Sequence, residues 1–177
     1  VLFLLVVTGE LLASGLIELY FSYLENKEAL VAIQKEKAQA AAQNIGGFVR
    51  GIEQQLGWVT QPQLASGAAA VEQRRFDFYR LQRQVPPITE ISYIDPTGRE
   101  QVRVSRLAMD VFGSNIDLSA DPRFTEARAR RLYRGPVYFR KESEPYLTIA
   151  VPWGEGAPEV AAAEVDLKAI WQVVSTI

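Results

Sequence analysis

"ITEISYIDPTGREQVRV", residues 88–104, decides the fold, because within it the apolar period changes from that of a helix to that of a strand. Residues 88–94 are rich in Ile, Thr and Tyr and read as a strand. Asp95-Pro96-Thr97-Gly98 is a type I turn with proline at its second position. Residues 100–104 return as a second strand with Val102 and Val104 on one face, which completes an antiparallel hairpin. Pro86-Pro87 stops the preceding helix, since the residue before a proline is pushed out of the helical region.

Working downstream, residues 105–120 are irregular, and the stretch 117–122 offers a start for a short helix over 124–131. Three more strands follow at 135–141, 145–151 and 159–165. In the first residues after Pro145 the alternation is explicit: Leu147, Ile149 and Val151 share one face while Tyr146, Thr148 and Ala150 share the other. Five strands with a helix inserted between the second and third make an α+β domain with an antiparallel sheet. Residues 167–177 read as a helix that runs to the end of the sequence, so the parent chain is expected to continue.

Upstream, residues 71–84 form a helix with Phe76, Tyr79 and Leu81 as candidate core contacts, and 65–70 is a short connection. Before Thr60-Gln61-Pro62 there is no proline, and one long helix runs back from Val59. Ile17, Leu24, Val31, Ala38, Ile45, Ile52 and Val59 keep an unbroken spacing of seven, and Phe21, Ala42, Val49 and Leu56 form a second line beside them. Glu28 and Lys35 interrupt that second line. Two apolar lines at this spacing are the pattern of a coiled-coil seam. From 45 to 59 the stripe is dense enough to pack on the domain's own core. From 21 to 43 it is thin, and Glu25, Lys27, Glu28, Lys35, Glu36 and Lys37 alternate in sign as on a solvated stalk, which predicts a parallel dimer contact.

The first residues, Val1 to Tyr20, are mainly apolar and reach the length of roughly 20 residues that a membrane helix needs, although Glu10 and Glu18 interrupt them. No small-residue cleavage site precedes the continuing helix, which argues against a signal peptide. The reading is a membrane anchor over 1–21, truncated at its start, a stalk and first domain helix over 22–59, and a folded domain over 45–177.

Composition narrows the chemistry. The 177 residues contain no His and no Cys, which excludes a zinc site built on imidazole or thiolate and catalysis by a Ser–His or Cys–His pair. A net charge of −2 does not fit a nucleic-acid binder. No cofactor is indicated. A carboxylate-pair enzyme such as a glycosidase needs two acids facing each other across a cleft, and Glu142 and Glu144 have no second acidic cluster opposite them.

The pieces "ISYIDPTGREQVRV", "DPRFTEARARRLYRGPVYFRKESEPYLTIAVP" and "EVAAAEVDLKAIWQVVSTI", in that order, resemble the Cache domains, the PAS-like extracytoplasmic sensor modules of bacterial histidine kinases, nucleotide cyclases and chemoreceptors. The resemblance is strongest to the membrane-distal half of two-lobed members. It implies a long N-terminal helix packed on a five-stranded antiparallel PAS-like sheet. It also implies a place in the bacterial inner membrane with the domain in the periplasm or outside the cell, a non-catalytic fragment whose kinase or cyclase output module lies elsewhere, and a small-molecule ligand held over the sheet beneath the loop and helix that join the second and third strands.

That position falls on the cationic stretch 121–146, where seven Arg and Lys lie between Arg123 and Lys141. A guanidinium can give a carboxylate or phosphate two parallel hydrogen bonds, and apolar walls bury such a ligand. Arg123 and Arg140 are therefore the candidate anion-binding residues, with Phe124, Tyr133, Tyr138 and Tyr146 as walls. Arg128, Arg130 and Arg131 read instead as a solvated helix face. Asp166 either meets a ligand's ammonium, as a late acid does in amino-acid-binding relatives, or caps the exit helix. In the amino-acid-binding subset an Arg in this loop is followed closely by a Trp–Tyr pair, and this sequence does not show that pair. The partners expected are thus a small anionic molecule, a membrane through the first helix and a second copy of the chain. The competing reading is a ligand-free structural or protein-interaction module whose sheet face is filled by its own side chains.

Overall fold

A computed structural model describes residues 2–60, 68–153, 158–168 and 170. Of the expected exit helix, position 169 and residues 171–177 lie outside that set. The chain divides into two compact units, residues 1–44 and residues 45–176.

Helix α1, Leu2–Val59, crosses the division. In the first unit, Ile17, Phe21 and Val31 of its apolar stripe are exposed. Among the described residues no helix is long and apolar enough to cross a membrane. The anchor expected over 1–21 includes side chains at 1–6, 8 and 11–13 that lie outside the described set.

In the second unit the stripe is used. Ile52 and Leu56 are buried, and Phe48, Val49 and Val59 pack against the same core. Helix α2, Ala68–Gln84, adds Phe78 and Leu81, and Val85 follows it into that core. Here the structure corrects the sequence reading, because Phe76 and Tyr79 are exposed and only Leu81 of the three expected contacts is buried. Val71, Phe78, Leu81 and Val85 fall at the three- and four-residue steps of one helix face; Phe76 and Tyr79 lie on a neighbouring stripe.

The sheet follows, with β1 at Ile88–Ile94, β2 at Glu100–Ser105 and β3 at Val111–Phe112. After helix α3, Pro122–Arg130, come β4 at Tyr133–Arg134, β5 at Tyr138–Arg140, β6 at Glu144–Pro152 and β7 at Val160–Asp166. The order is β3-β2-β1-β7-β6-β4, with β5 also on β6, and every pairing is antiparallel. The sheet therefore has seven strands rather than five. One addition is the two-residue β3. The other is β4, which lies before the strand expected over 135–141; of that strand Tyr138–Arg140 pairs as β5, and the two are separated by a break at Gly135-Pro136, where Pro136 has no N–H to offer the ladder.

That break has a geometric consequence. Tyr133 and Arg134 pair with Ala150 and Ile149, whereas Tyr138 and Arg140 pair with Tyr146 and Glu144, so the register advances by one residue between β4 and β5. Side chains alternate with period two along a strand. Without the extra residue, Tyr133 and Tyr138 would fall on opposite faces of the sheet; with it they share one.

The β1–β2 turn is as read from sequence. The Gly98 N–H donates to the Asp95 carbonyl at 2.9 Å, and the Asp95 carboxylate accepts from the Thr97 N–H at 2.8 Å and the Arg99 N–H at 3.0 Å. Gly98 has φ +83° and a Cβ there would stand 2.5 Å from the Ser119 Cα, so glycine is required twice over.

The two faces of the sheet carry separate cores. Ile91, Tyr93, Val102, Val104, Leu147, Ile149, Val151, Ala161, Ala163 and Val165 meet α1 and α2. On the other face Ile94, Ala150, Val160 and Ala162 meet Phe124 and Ala127 of α3.

Candidate functional site

The second face is only partly covered by α3, and beyond the helix it turns polar. Glu164 projects there from β7, opposite Thr148 of β6 in the register. Its carboxylate accepts from the Tyr138 hydroxyl at 2.5 Å and from the Thr148 hydroxyl at 3.0 and 3.1 Å, and the Arg123 guanidinium stands 4.0 Å away. Only 13% of the Glu164 side chain is exposed. Arg123 sits in the first turn of α3, which begins at Pro122 because Asp121 caps it: the Asp121 carboxylate accepts from the Arg123 backbone N–H at 2.8 Å and from its Nε at 3.0 Å.

A second cation lies alongside. Arg140 donates to Glu90 at 2.9 Å, with its guanidinium 4.6 Å from the Tyr146 ring centre and 5.9 Å from that of Tyr138. Tyr138 and Tyr146 stack with ring centres 6.0 Å apart. Burial first, and then the hydrogen bond to Glu164, push the Tyr138 phenol up to about 12, so at neutral pH it is a donor. Burial works against the charge on Arg140, but the hydrogen bonds with Glu90 and Tyr138 outweigh it and leave the guanidinium more firmly protonated.

A third pair completes the face at β2. Arg103 grips Glu100 with Nε on one oxygen at 3.0 Å and Nη2 on the other at 2.6 Å, while the Ser114 hydroxyl donates at 2.9 Å. Arg103 also feels the charges of Glu90 and Glu164. Between these pairs lie the short side chains of Ser92, Ala162, Thr148 and Ala150, adjacent in the register. The result is a ring of three guanidiniums and three carboxylates around Ser92 and Thr148, with Ala150 and Ala162 covered by α3. Among the described residues no group of acids is placed to hold a metal ion.

Of the residues named from sequence, Arg123, Tyr138, Arg140 and Tyr146 converge on this face. Tyr133 is half-buried beside Phe124, which is itself buried between α3 and the sheet and has Arg128 stacked on its ring at 5.0 Å. Asp166 lies opposite Tyr146, and its carboxylate accepts from the Lys168 N–H at 2.8 Å, the bond a helix cap would make. Arg130 pairs with Glu126 on the outer side of α3. The acids of the face, Glu90, Glu100 and Glu164, and the cation Arg103 were not singled out from sequence. Glu164 had a signal: it interrupts the apolar run 160–165 at a position whose neighbours are Ala163 and Val165.

No family model matches this sequence, and no curated protein matches it. Solved structures do. The ligand-binding domain of the Campylobacter jejuni chemoreceptor Tlp3, in complex with L-norvaline, is 13% identical with a TM-score of 0.59, over 89% of this chain and 64% of that one. A domain of a sensory box/GGDEF family protein from Vibrio parahaemolyticus is 16% identical with a TM-score of 0.56, over 77% and 60%. The ligand-binding domain of the Pseudomonas aeruginosa amino acid chemoreceptor PctC, in complex with GABA, is 16% identical with a TM-score of 0.52, over 76% and 60%. The chain thus spans less than two thirds of each. At these identities the likeness is one of architecture: this chain has the fold of bacterial sensory domains, the fold that its resemblance to Cache domains implied.

Proposed function

We propose that this is the extracytoplasmic ligand-sensing domain of a membrane-bound bacterial signalling receptor, and that it binds a small molecule on the α3 face of the sheet. The ligand carries an anionic group, taken by Arg123 and Arg140, and a cationic or hydrogen-bond-donating group beside it, taken by Glu164. The observation that carries this reading is the placement of Glu164 and Arg123 side by side on the polar part of that face. A ligand with only negative charge would meet Glu164 uncompensated, whereas one bearing both charges satisfies acid and guanidinium together. L-norvaline and GABA, the molecules bound by two of the structures above, have that double character. In the whole receptor the first helix anchors the chain in the membrane, and two copies pair along it.

A panel of amino acids, organic acids and phosphates, read by melting temperature, tests this reading. Binding to the folded state alone stabilises by about 2.7 kcal/mol at a hundredfold excess over the dissociation constant. For a domain of this size that is a shift on the order of 5 °C. The largest shifts are expected among zwitterions. A panel with no shift in any class contradicts the sensor reading and favours an interaction module, with the sheet face filled by its own ion pairs.

A further inference from the structure

Strand β4 has one residue for each side of the sheet. Tyr133 packs with the α3 core on the candidate site face, and Arg134, by the alternation of a strand, goes to the opposite side. There it donates from Nε and Nη2 to the two carboxylate oxygens of Glu53 on α1, at 2.5 and 2.9 Å. The Glu53 side chain is 13% exposed, and a two-bond guanidinium–carboxylate pair fixes direction as well as distance. The Arg134 side chain is itself 52% exposed, so the link rests on that two-bond geometry rather than on burial.

The same strand is tied closely to the site. Two residues before it, Arg131 ends α3 in the left-handed region at φ 63°, a conformation that fixes how β4 leaves the helix. Just after it, the Gly135 N–H donates to the carbonyl of Thr148 at 2.8 Å, and the hydroxyl of that same Thr148 donates to Glu164. A Cβ on Gly135 would come within 3.2 Å of the Tyr133 hydroxyl and 3.4 Å of Thr148, so there is little slack around the strand. Displacements of α3 or Glu164 therefore reach β4 directly.

Building on the sheet-face site described above, we propose that β4 is the relay that reports occupancy of that site to α1, with the Arg134–Glu53 ion pair as its output contact. A ligand that draws Arg123 inward moves α3, α3 moves Tyr133, and Arg134 on the other side of the same two-residue strand carries the displacement to the 45–59 segment of α1. Coupling of this kind needs an element that both sites bias, and a short strand joined to α3 through Arg131 and to β6 through Gly135 is placed to be one.

The absence of cysteine allows a test that does not depend on knowing the ligand. Thr148→Cys is labelled with 2-sulfonatoethyl methanethiosulfonate, which places an anion beside Glu164 and the intact Arg123, and backbone hydrogen exchange is followed in peptides covering 45–59, 121–130 and 130–136. With Glu53 intact, labelling should change exchange in both 130–136 and 45–59, the latter by about fivefold, the low end of ordinary coupling between sites. With Glu53→Gln added, 130–136 should still respond and 45–59 should not. An equal response of 45–59 in both backgrounds, or silence there while 130–136 responds, overturns the relay. If 130–136 is silent as well, the sheet-face site is what fails, and the relay is decided by the unlabelled Glu53→Gln protein. Coupling is reciprocal, so that change must alter exchange in α3, across the sheet from α1; an unaltered α3 overturns the relay.

Discussion

At Glu100 a buried carboxylate is kept charged by its neighbours. Burial alone would raise its carboxyl, but hydrogen bonds from Arg103, Ser114 and Ser92 outweigh that and hold it below the usual glutamate range. A carboxyl depressed in the folded state contributes stability that is present above its unfolded value and is lost as pH falls through the folded one. The chain should therefore lose stability progressively below about pH 4.5, and Glu100→Gln should lose less over the same range. Glu100→Ala, which strips Arg103 of its partner, should cost about 3 kcal/mol at pH 7. Urea unfolding at several pH values measures both. A wild-type curve no steeper in acid than that of Glu100→Gln would show that another group dominates. The same residue shows the limit of reading single positions in sequence. Glu100 stands just after a turn, where an acid is ordinarily solvated, and only the strand-to-strand register puts it opposite Ile94 on the buried side.

Elements were legible where local chemistry decides them. The Asp95-Pro96-Thr97-Gly98 turn, the two faces of β6 and the packing of 45–59 all follow from residue type and period. The phase of α2 did not, because Phe76 and Phe78 are both aromatic and the choice between them is made by the helix and sheet they meet. The site was legible in part for the same reason: Arg123, Arg140, Tyr138 and Tyr146 lie near one another in sequence, whereas Glu90, Arg103 and Glu164 reach the face from strands far apart along the chain. The added residue between β4 and β5, which brings Tyr133 and Tyr138 to one face, has no signature beyond Gly135-Pro136. Ile17, Phe21 and Val31 are exposed, and a seven-residue spacing is what a parallel pair of helices needs. Single cysteines replacing Leu24, Val31 and Ala38 should crosslink faster than those replacing Lys27 or Gln34. Equal rates at all five positions would contradict a parallel seam.

On the scale of the whole domain, one sheet has two chemically distinct faces. Its apolar side binds α1 and α2 and supplies most of the core, which frees the other side to carry charges that a core would not tolerate. Those charges neutralise one another within the domain, so on the proposed reading a ligand replaces contacts rather than merely filling space, and affinity depends on how well it substitutes for Asp121 and Glu164 at Arg123. Removing one charge-assisted hydrogen bond costs about 1.5–3 kcal/mol. The most direct measurement is calorimetric titration of the compound that gives the largest melting shift into the wild-type protein, Arg123→Ala and Arg130→Ala. Arg130→Ala should bind as the wild type does, because its guanidinium pairs with Glu126 on the outer side of α3. Arg123→Ala should weaken binding at least about tenfold while remaining folded. Equal affinity in all three proteins would contradict a ligand site on the sheet face.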